Sequence, residues 1–253
     1  MNVKKCMPFV LVLVFGTSSM LLGANIWVDN FDDNSLNDAY ITPDGGGGAG
    51  PPQWLEEDGV AKQIEPKPGD PTYLAVELGK DIRFCGQLVR IRFDEWQDHD
   101  RSRAGVGFWL DPGDEYNGYT TVIHNSLTAG NYQFLNDARG WEGAHIVSFD
   151  TGGVDSWFWM RAEIDADASS MNGKVWVGDL ADEPDGWMIE TDYTTYGGLR
   201  QPTRWVGLNG GAGTGDGFSK CSFDDWIVYD AGGENLAVAP KGKIALTWGA
   251  IKK

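Results

Sequence analysis

The chain has 253 residues, of which 42% are hydrophobic, and its 37 acidic against 20 basic side chains give a formal charge of −17. That balance sets it against a nucleic-acid partner, because phosphate binding needs the opposite sign. The length is enough to bury a sizeable core.

Residues 1–24 begin with Lys4 and Lys5, continue through the apolar run Pro8 to Phe15 and end on small residues at Leu22-Gly23-Ala24. This is the anatomy of a cleaved secretory signal peptide. The run is broken at Gly16-Thr17-Ser18-Ser19, whereas a membrane span wants about 20 apolar residues. Cleavage predicts an exported protein, periplasmic, cell-surface or extracellular, with no membrane span. Loss of Lys4 and Lys5 takes its charge from −17 to −19. The remainder lacks a dividing linker and is expected to form one domain over residues 25–230, followed by a tail over 231–253.

Predicted strands recur every ten or so residues, separated by Gly, Asp, Asn and Pro clusters, as in a sandwich or barrel. They run Asn25 to Phe31, Gln53 to Gln63, Tyr73 to Leu78, Gly86 to Trp96, Ala104 to Leu110, Gly118 to Asn125 and Asn131 to Leu135. Then follow His145 to Phe149, Trp157 to Asp165, Lys174 to Val177, Gly186 to Glu190, Trp205 to Leu208 and Phe218 to Tyr229. The fold class is all-β, with no helix of useful length.

Side-chain parity separates two faces. Val89, Ile91 and Phe93 oppose Arg90 and Arg92, and Phe158, Met160, Ala162 and Ile164 oppose Trp157, Trp159, Arg161 and Glu163. Val106, Phe108 and Leu110 form a third core set, leaving Gly105, Gly107 and Trp109 on a locally hollow opposite face. An indole offers a stacking surface for a sugar ring. Trp109, Trp159, Tyr119 and the loop-borne Trp141 are therefore candidates for a binding platform, with Arg90, Arg92, Arg161 and His124 as hydroxyl partners; core packing is the competing role for each. Cys85 and Cys221, the cysteines outside the signal, either pair as a disulfide or lie as buried thiols in strands. His99, His124 and His145 show no zinc spacing.

The order of motifs resembles the concanavalin A-like lectin/glucanase superfamily, in particular bacterial laminin G-like domains. It rests on Asp29-Asn30-Phe31-Asp32-Asp33, Trp54 with Asp58-Gly59-Val60, Gly105-Val106-Gly107-Phe108, Lys174-Val175-Trp176 with Glu183-Pro184, and Phe223-Asp224-Asp225-Trp226-Ile227-Val228-Tyr229. The resemblance covers about residues 25–230 and implies a jelly-roll sandwich of two antiparallel sheets. It also implies that the first and last strands are neighbours with a structural Ca²⁺ between them. Asp225 is the best-matched ligand and Asp29 and Asp32 are the next, although turn chemistry would equally use these residues.

Glu163-Ile164-Asp165-Ala166-Asp167 is superficially similar to the paired carboxylates of laminarinase-type hydrolases in that superfamily. Retaining hydrolysis needs two carboxyls about 5 to 5.5 Å apart, and Glu163 and Asp165 share a strand face. The acid position, however, holds Asp167 rather than Glu, at a predicted strand end. Three readings stand: a non-catalytic module binding carbohydrate or a glycan-bearing surface, a glycoside-cleaving enzyme of the same fold using Glu163 and Asp165, and a structural or adhesive surface domain.

Overall fold

The computed structural model describes residues 25–42, 53–65, 72–97, 102–110, 118–128, 131–136, 142–192, 202–211, 219–231 and 233, the side chains of 65, 136 and 142–145 excepted. Residues 1–24, where the sequence predicts a signal peptide, most of the tail, Trp141, His99 and the glycine run at 45–48 lie outside them, as does the His145 side chain.

Alternating strands with one apolar face bury that face against another sheet, and two seven- and eight-stranded antiparallel sheets do so here. This is the jelly-roll sandwich expected. One sheet runs β13 (Ile189–Asp192), β12 (Ser170–Val177), β11 (Trp157–Asp165), β6 (Phe84–Trp96), β15 (Ser219–Tyr229), β4 (Val60–Glu65) and β3 (Gln53–Glu57). β1 (Asn25–Asp29) joins it beside β15. The second runs β10 (Glu142–Val147), β9 (Tyr132–Asn136), β8 (Tyr119–His124), β7 (Arg103–Phe108), β14 (Thr203–Gly210), β5 (Thr72–Ile82) and β2 (Tyr40–Ile41). Among the described residues, no helix is long and apolar enough to cross a membrane.

The core lies between the sheets. Val89, Ile91, Phe93, Phe158, Met160, Ala162 and Ile164 enter it from one side and Val106, Phe108, Leu74, Val76 and Leu208 from the other, all fully buried. Alternation predicted these faces correctly wherever the strand runs unbroken. It fails at Trp109, whose φ of +55° turns the chain out of the strand. Trp109 consequently swings into the core, where its ring meets Tyr119 edge-on at 5.4 Å. Leu110 takes the opposite side and packs with Tyr73 and Ala75. Its methyls lie within 3.0 Å of where Cβ atoms on Gly107 and Gly207 would stand, so the expected hollow is filled.

β15 changes partners halfway along. Ser222 and Phe223 pair with β4, then the pairing with β6 shifts register between Asp224 and Ile227, and β1 takes over beside Trp226 to Tyr229. Asp225 sits in this bulge at φ +52°, a conformation that Asp tolerates better than most residues. Just beyond it Trp226 is fully buried and donates Nε1–H to Gln87 Oε1 (3.1 Å), while Gln87 Nε2 donates to the Gly107 carbonyl of the other sheet (2.8 Å).

The disulfide alternative fails on register. Cys221 lies opposite Phe93, eight residues along β6 from Cys85, so the two are about 26 Å apart at about 3.3 Å per residue. A disulfide needs Cα atoms within about 7 Å. Both cysteines are free and buried, and burial pushes both thiols up from their ordinary pKa. A reductant should therefore leave the melting temperature unchanged, and a thiol-reactive dye should label Cys85 and Cys221 only after unfolding. Gln87→Leu keeps the volume but strands Trp226 Nε1 and the Gly107 carbonyl; a cost of about 2 kcal/mol is expected in urea melts.

Candidate functional site

Where β1 meets the bulged half of β15, the chain leaves β1 through a run of tight turns, with Phe31 at φ +51° and Asn34 at φ +56°. Asx interactions shape it: Asp29 Oδ1 accepts the Phe31 N–H (2.8 Å), Asp33 Oδ1 the Ser35 N–H (3.1 Å) and Asn37 Oδ1 the Ala39 N–H (2.9 Å). Together with β15 these turns enclose a cavity of about 680 Å³ whose polar wall carries Asp29, Asn30, Asp33, Asn37, Asp38 and Asp225, with Val28, Leu36 and Ile227 as its apolar wall. Asp225 is 2% exposed, placed by the bulge.

Aromatic rings fix the carboxylates from behind. Tyr40 donates its hydroxyl to Asp29 Oδ2 (2.7 Å), accepts from Trp27 Nε1 (3.1 Å) and stacks on Trp226 at 6.0 Å. Burial, and then the charge of Asp29, push the Tyr40 phenol up, so it stays a donor. Glu56 of β3 is buried beside the same turns. Burial, a hydrogen bond with Asp33 and the charges of Asp29 and Asp33 raise its pKa, against a lowering backbone hydrogen bond from Asn34. The donor set is all oxygen, which suits a hard cation. Of the three expected ligands, Asp29 and Asp225 line one cavity. Asp32 does not; it accepts from Asn30 Nδ2 (2.6 Å), and its neighbour Asp33 faces the space instead. Among the described residues, no three His, Cys, Asp or Glu side chains stand close enough to hold an ion as they are.

Arg90, Arg92, Trp159 and Arg161 share the outer face of the β1-containing sheet, as parity predicted. Trp157, which the sequence reading placed on this face but did not single out, stands beside Arg92 and is half-buried. Trp159 and Arg161 are only 3% and 5% exposed, because residues 178–188 fold back over them. Trp159 stacks on Trp176 at 6.2 Å, and Trp176 Nε1 donates to the Asp179 carbonyl (3.1 Å). Glu183 binds both Arg161 (2.7 Å) and Lys174 (2.7 Å), and Lys174 also reaches the Pro184 carbonyl (2.8 Å). Burial raises the Glu183 pKa, but the hydrogen bonds from Arg161 and Lys174 outweigh it, and the net shift is downward.

The remaining platform residues are dispersed. Trp109 and Tyr119 lie in the core between the sheets, 8% and 1% exposed, and therefore share no face with Trp159. His124 is nearly buried on the outer side of the other sheet, its Nδ1 2.5 Å from Gln133 Nε2. The carboxylate pair has structural employment. Asp165 Oδ1 accepts the N–H groups of Asp167 (2.8 Å) and Ala168 (3.1 Å) in the β11–β12 hairpin, and Asp167 is held by Arg83. Glu163 Oε1 accepts the Tyr229 hydroxyl (2.7 Å), which accepts in turn from Arg161 Nη1 (2.9 Å).

No sequence family matches the chain, and no curated protein matches it. Solved structures do resemble its fold. It superposes on the carbohydrate recognition domain of Emp47p with a TM-score of 0.51 at 11% identity, covering 82% of this chain and 96% of that one. The carbohydrate-binding module CBM66 from Bacillus subtilis gives 0.50 at 12%, covering 78% and 96%. A sialidase gives 0.52 at 11%, covering 83% of this chain but only 18% of the sialidase. These likenesses show the fold alone, a jelly-roll sandwich of two antiparallel sheets.

Because the folded-state pKa of Glu183 lies below its unfolded value of about 4.5, its contribution to stability is complete above that pH and is lost as pH falls through the folded value. Glu183→Gln removes the counter-charge that the buried Arg161 and Lys174 share. It is expected to cost about 3 kcal/mol at pH 7 and to flatten the acid limb of the stability profile in urea melts.

Proposed function

We propose that this is an exported, non-catalytic carbohydrate-binding module of laminin G-like type, in which Ca²⁺ bound in the cavity where the β1–β15 pair meets the turns after β1 supports the ligand site. The observation that carries the reading is that cavity: about 680 Å³, of the size that holds a small ligand, with carboxylates and amides facing Val28, Leu36 and Ile227 across it. Carboxylate and amide oxygens accept from sugar hydroxyls, and the aliphatic wall suits the C–H face of a pyranose. The fold comparison lends support, since the chain spans almost the whole of two domains whose names describe carbohydrate binding, but under a fifth of the sialidase. A binding role also agrees with the structural use of Asp165 and Glu163, which leaves the hydrolase reading without its pair.

Asp29, Asp33 and Asp225, which line the cavity but do not converge as they stand, would draw together around the cation, with Asn30 and Asn37 within the same wall. Burial is the main cause that raises Glu56, and an ion there would offset the smaller contribution from the charges of Asp29 and Asp33; as a ligand of the native state alone it must raise stability. Millimolar Ca²⁺ is therefore expected to raise the melting temperature by several degrees, and EDTA to reverse this. Asp225→Asn, which keeps shape and tolerates the same φ, should abolish the Ca²⁺ effect. On a glycan array the mature chain should retain saccharide with Ca²⁺ and lose it with EDTA. An array that stays blank in both conditions overturns the carbohydrate reading, and a melting temperature indifferent to Ca²⁺ overturns the metal.

A further inference from the structure

On the outer face of the β1-containing sheet, where β6 runs beside the bulged part of β15 and Arg90 lies opposite Asp224, Arg90 and Arg92 bracket Trp157 of β11. Their guanidinium carbons lie 4.8 and 4.9 Å from its ring centroid, and Arg90 is also 6.0 Å from the Trp159 ring. The two arginines differ in their counter-charges. Arg92 is tied to Asp94 by Nε (2.7 Å) and Nη2 (2.6 Å). Arg83, Arg161 and Arg204 likewise each hold a carboxylate. Arg90 holds none among the described residues, and its Nε is shut off from water with no partner. Asp224, its register neighbour on β15, turns Oδ1 to the Asp225 N–H (2.8 Å).

A guanidinium packed against two indoles has given up much of its hydration without gaining an anion, although it is a planar fork of donors matched to carboxylate and sulfate. In a chain of net charge −17, where acidic partners are plentiful, an arginine held this way at the middle of a sheet stands out as a ligand group. Trp157 beside it is half-buried and leaves part of its ring for a sugar to stack on. The geometry points to a second binding site, formed by Arg90, Trp157 and Arg92, that takes an anionic saccharide: the ring packs on Trp157 and its carboxylate or sulfate is received by Arg90. Arg92, already neutralised by Asp94, orients the indole and donates to a neighbouring hydroxyl.

This site uses no cation, and although Arg90 lies close to the bulge, none of its three residues lines the cavity beside β1 and β15. Calorimetric titration of the mature chain with digalacturonate, with a sulfated heparin disaccharide and with a neutral galactose disaccharide tests it. Binding of at least one acidic disaccharide, about tenfold or more tighter than the neutral one, and unchanged by EDTA, is expected. Arg90→Gln should weaken that binding at least about tenfold, and Arg90→Lys should weaken it too, since a point charge cannot grip both oxygens. Arg204→Gln, a control on the other sheet, should leave it intact. The proposal is overturned if neither acidic disaccharide binds, if the neutral one binds equally, or if Arg90→Gln and Arg90→Lys, melting as the parent does, bind as the parent does. Loss of binding in EDTA would also overturn it, by assigning the ligand to the cavity.

Discussion

The bulge at Asp224–Trp226 is the constraint from which the architecture around the cavity follows. A straight β15 would keep one neighbour along its whole length and present alternate residues to the core without interruption. With the register shifted and Asp225 in the left-handed region, β15 gives up β4 and receives β1. The same few residues turn an Asp sideways, bury Trp226 and set Asp225 and Ile227 against the cavity that the turns after β1 enclose. A bulge of this kind re-aims a side chain at the cost of local pairing. Here the cost is offset by the aromatic group Trp27–Tyr40–Trp226, which packs behind Asp29 and ties the turns after β1 to the sheet.

The outer face of that sheet divides into a closed part and an open part. Residues 178–188 seal Trp159, Trp176, Arg161 and Lys174 with one carboxylate, Glu183, serving two cations. Beyond the seal, Arg90, Trp157 and Arg92 remain partly accessible. Buried ion pairs contribute modestly to net stability and more to geometry, since breaking one strands the survivors. The seal therefore determines where the accessible aromatic surface ends.

Much of the fold was legible because strand parity is a local property. The faces of β6 and β11 follow from alternation alone, and Val89, Ile91, Phe93, Phe158 and Met160 are buried as that pattern requires. The approach broke down where one dihedral changes sign. Trp109 reads as outward-facing and Leu110 as core, yet φ +55° at Trp109 exchanges them. Nothing in Gly-Phe-Trp-Leu announces that turn. The site was legible in half. Asp29 and Asp225 were identifiable because the ends of the chain were expected to pair, whereas Asp33 displacing Asp32 depends on turn geometry that composition does not encode. Glu56 escaped notice because its relevance comes from β3 packing beneath those turns. Trp157 lay in plain view, with the parity of Trp159, and the segment 178–188 that makes it the accessible one of the two is a tertiary effect.

The position of β15 also bears on how the domain assembles. Every other described strand precedes it in the chain, yet it lies inside its sheet, joining β6 on one side to β4 and β1 on the other. Until it docks, that sheet is two unconnected pieces, β6 with β11 to β13 and β3 with β4, and β1 has no partner. Its pairing with β1 closes a loop of about two hundred residues, and contacts that distant slow the search for the native topology. The domain is therefore built to remain open along its length and to close late, with the strand that carries Asp225 acting as the keystone.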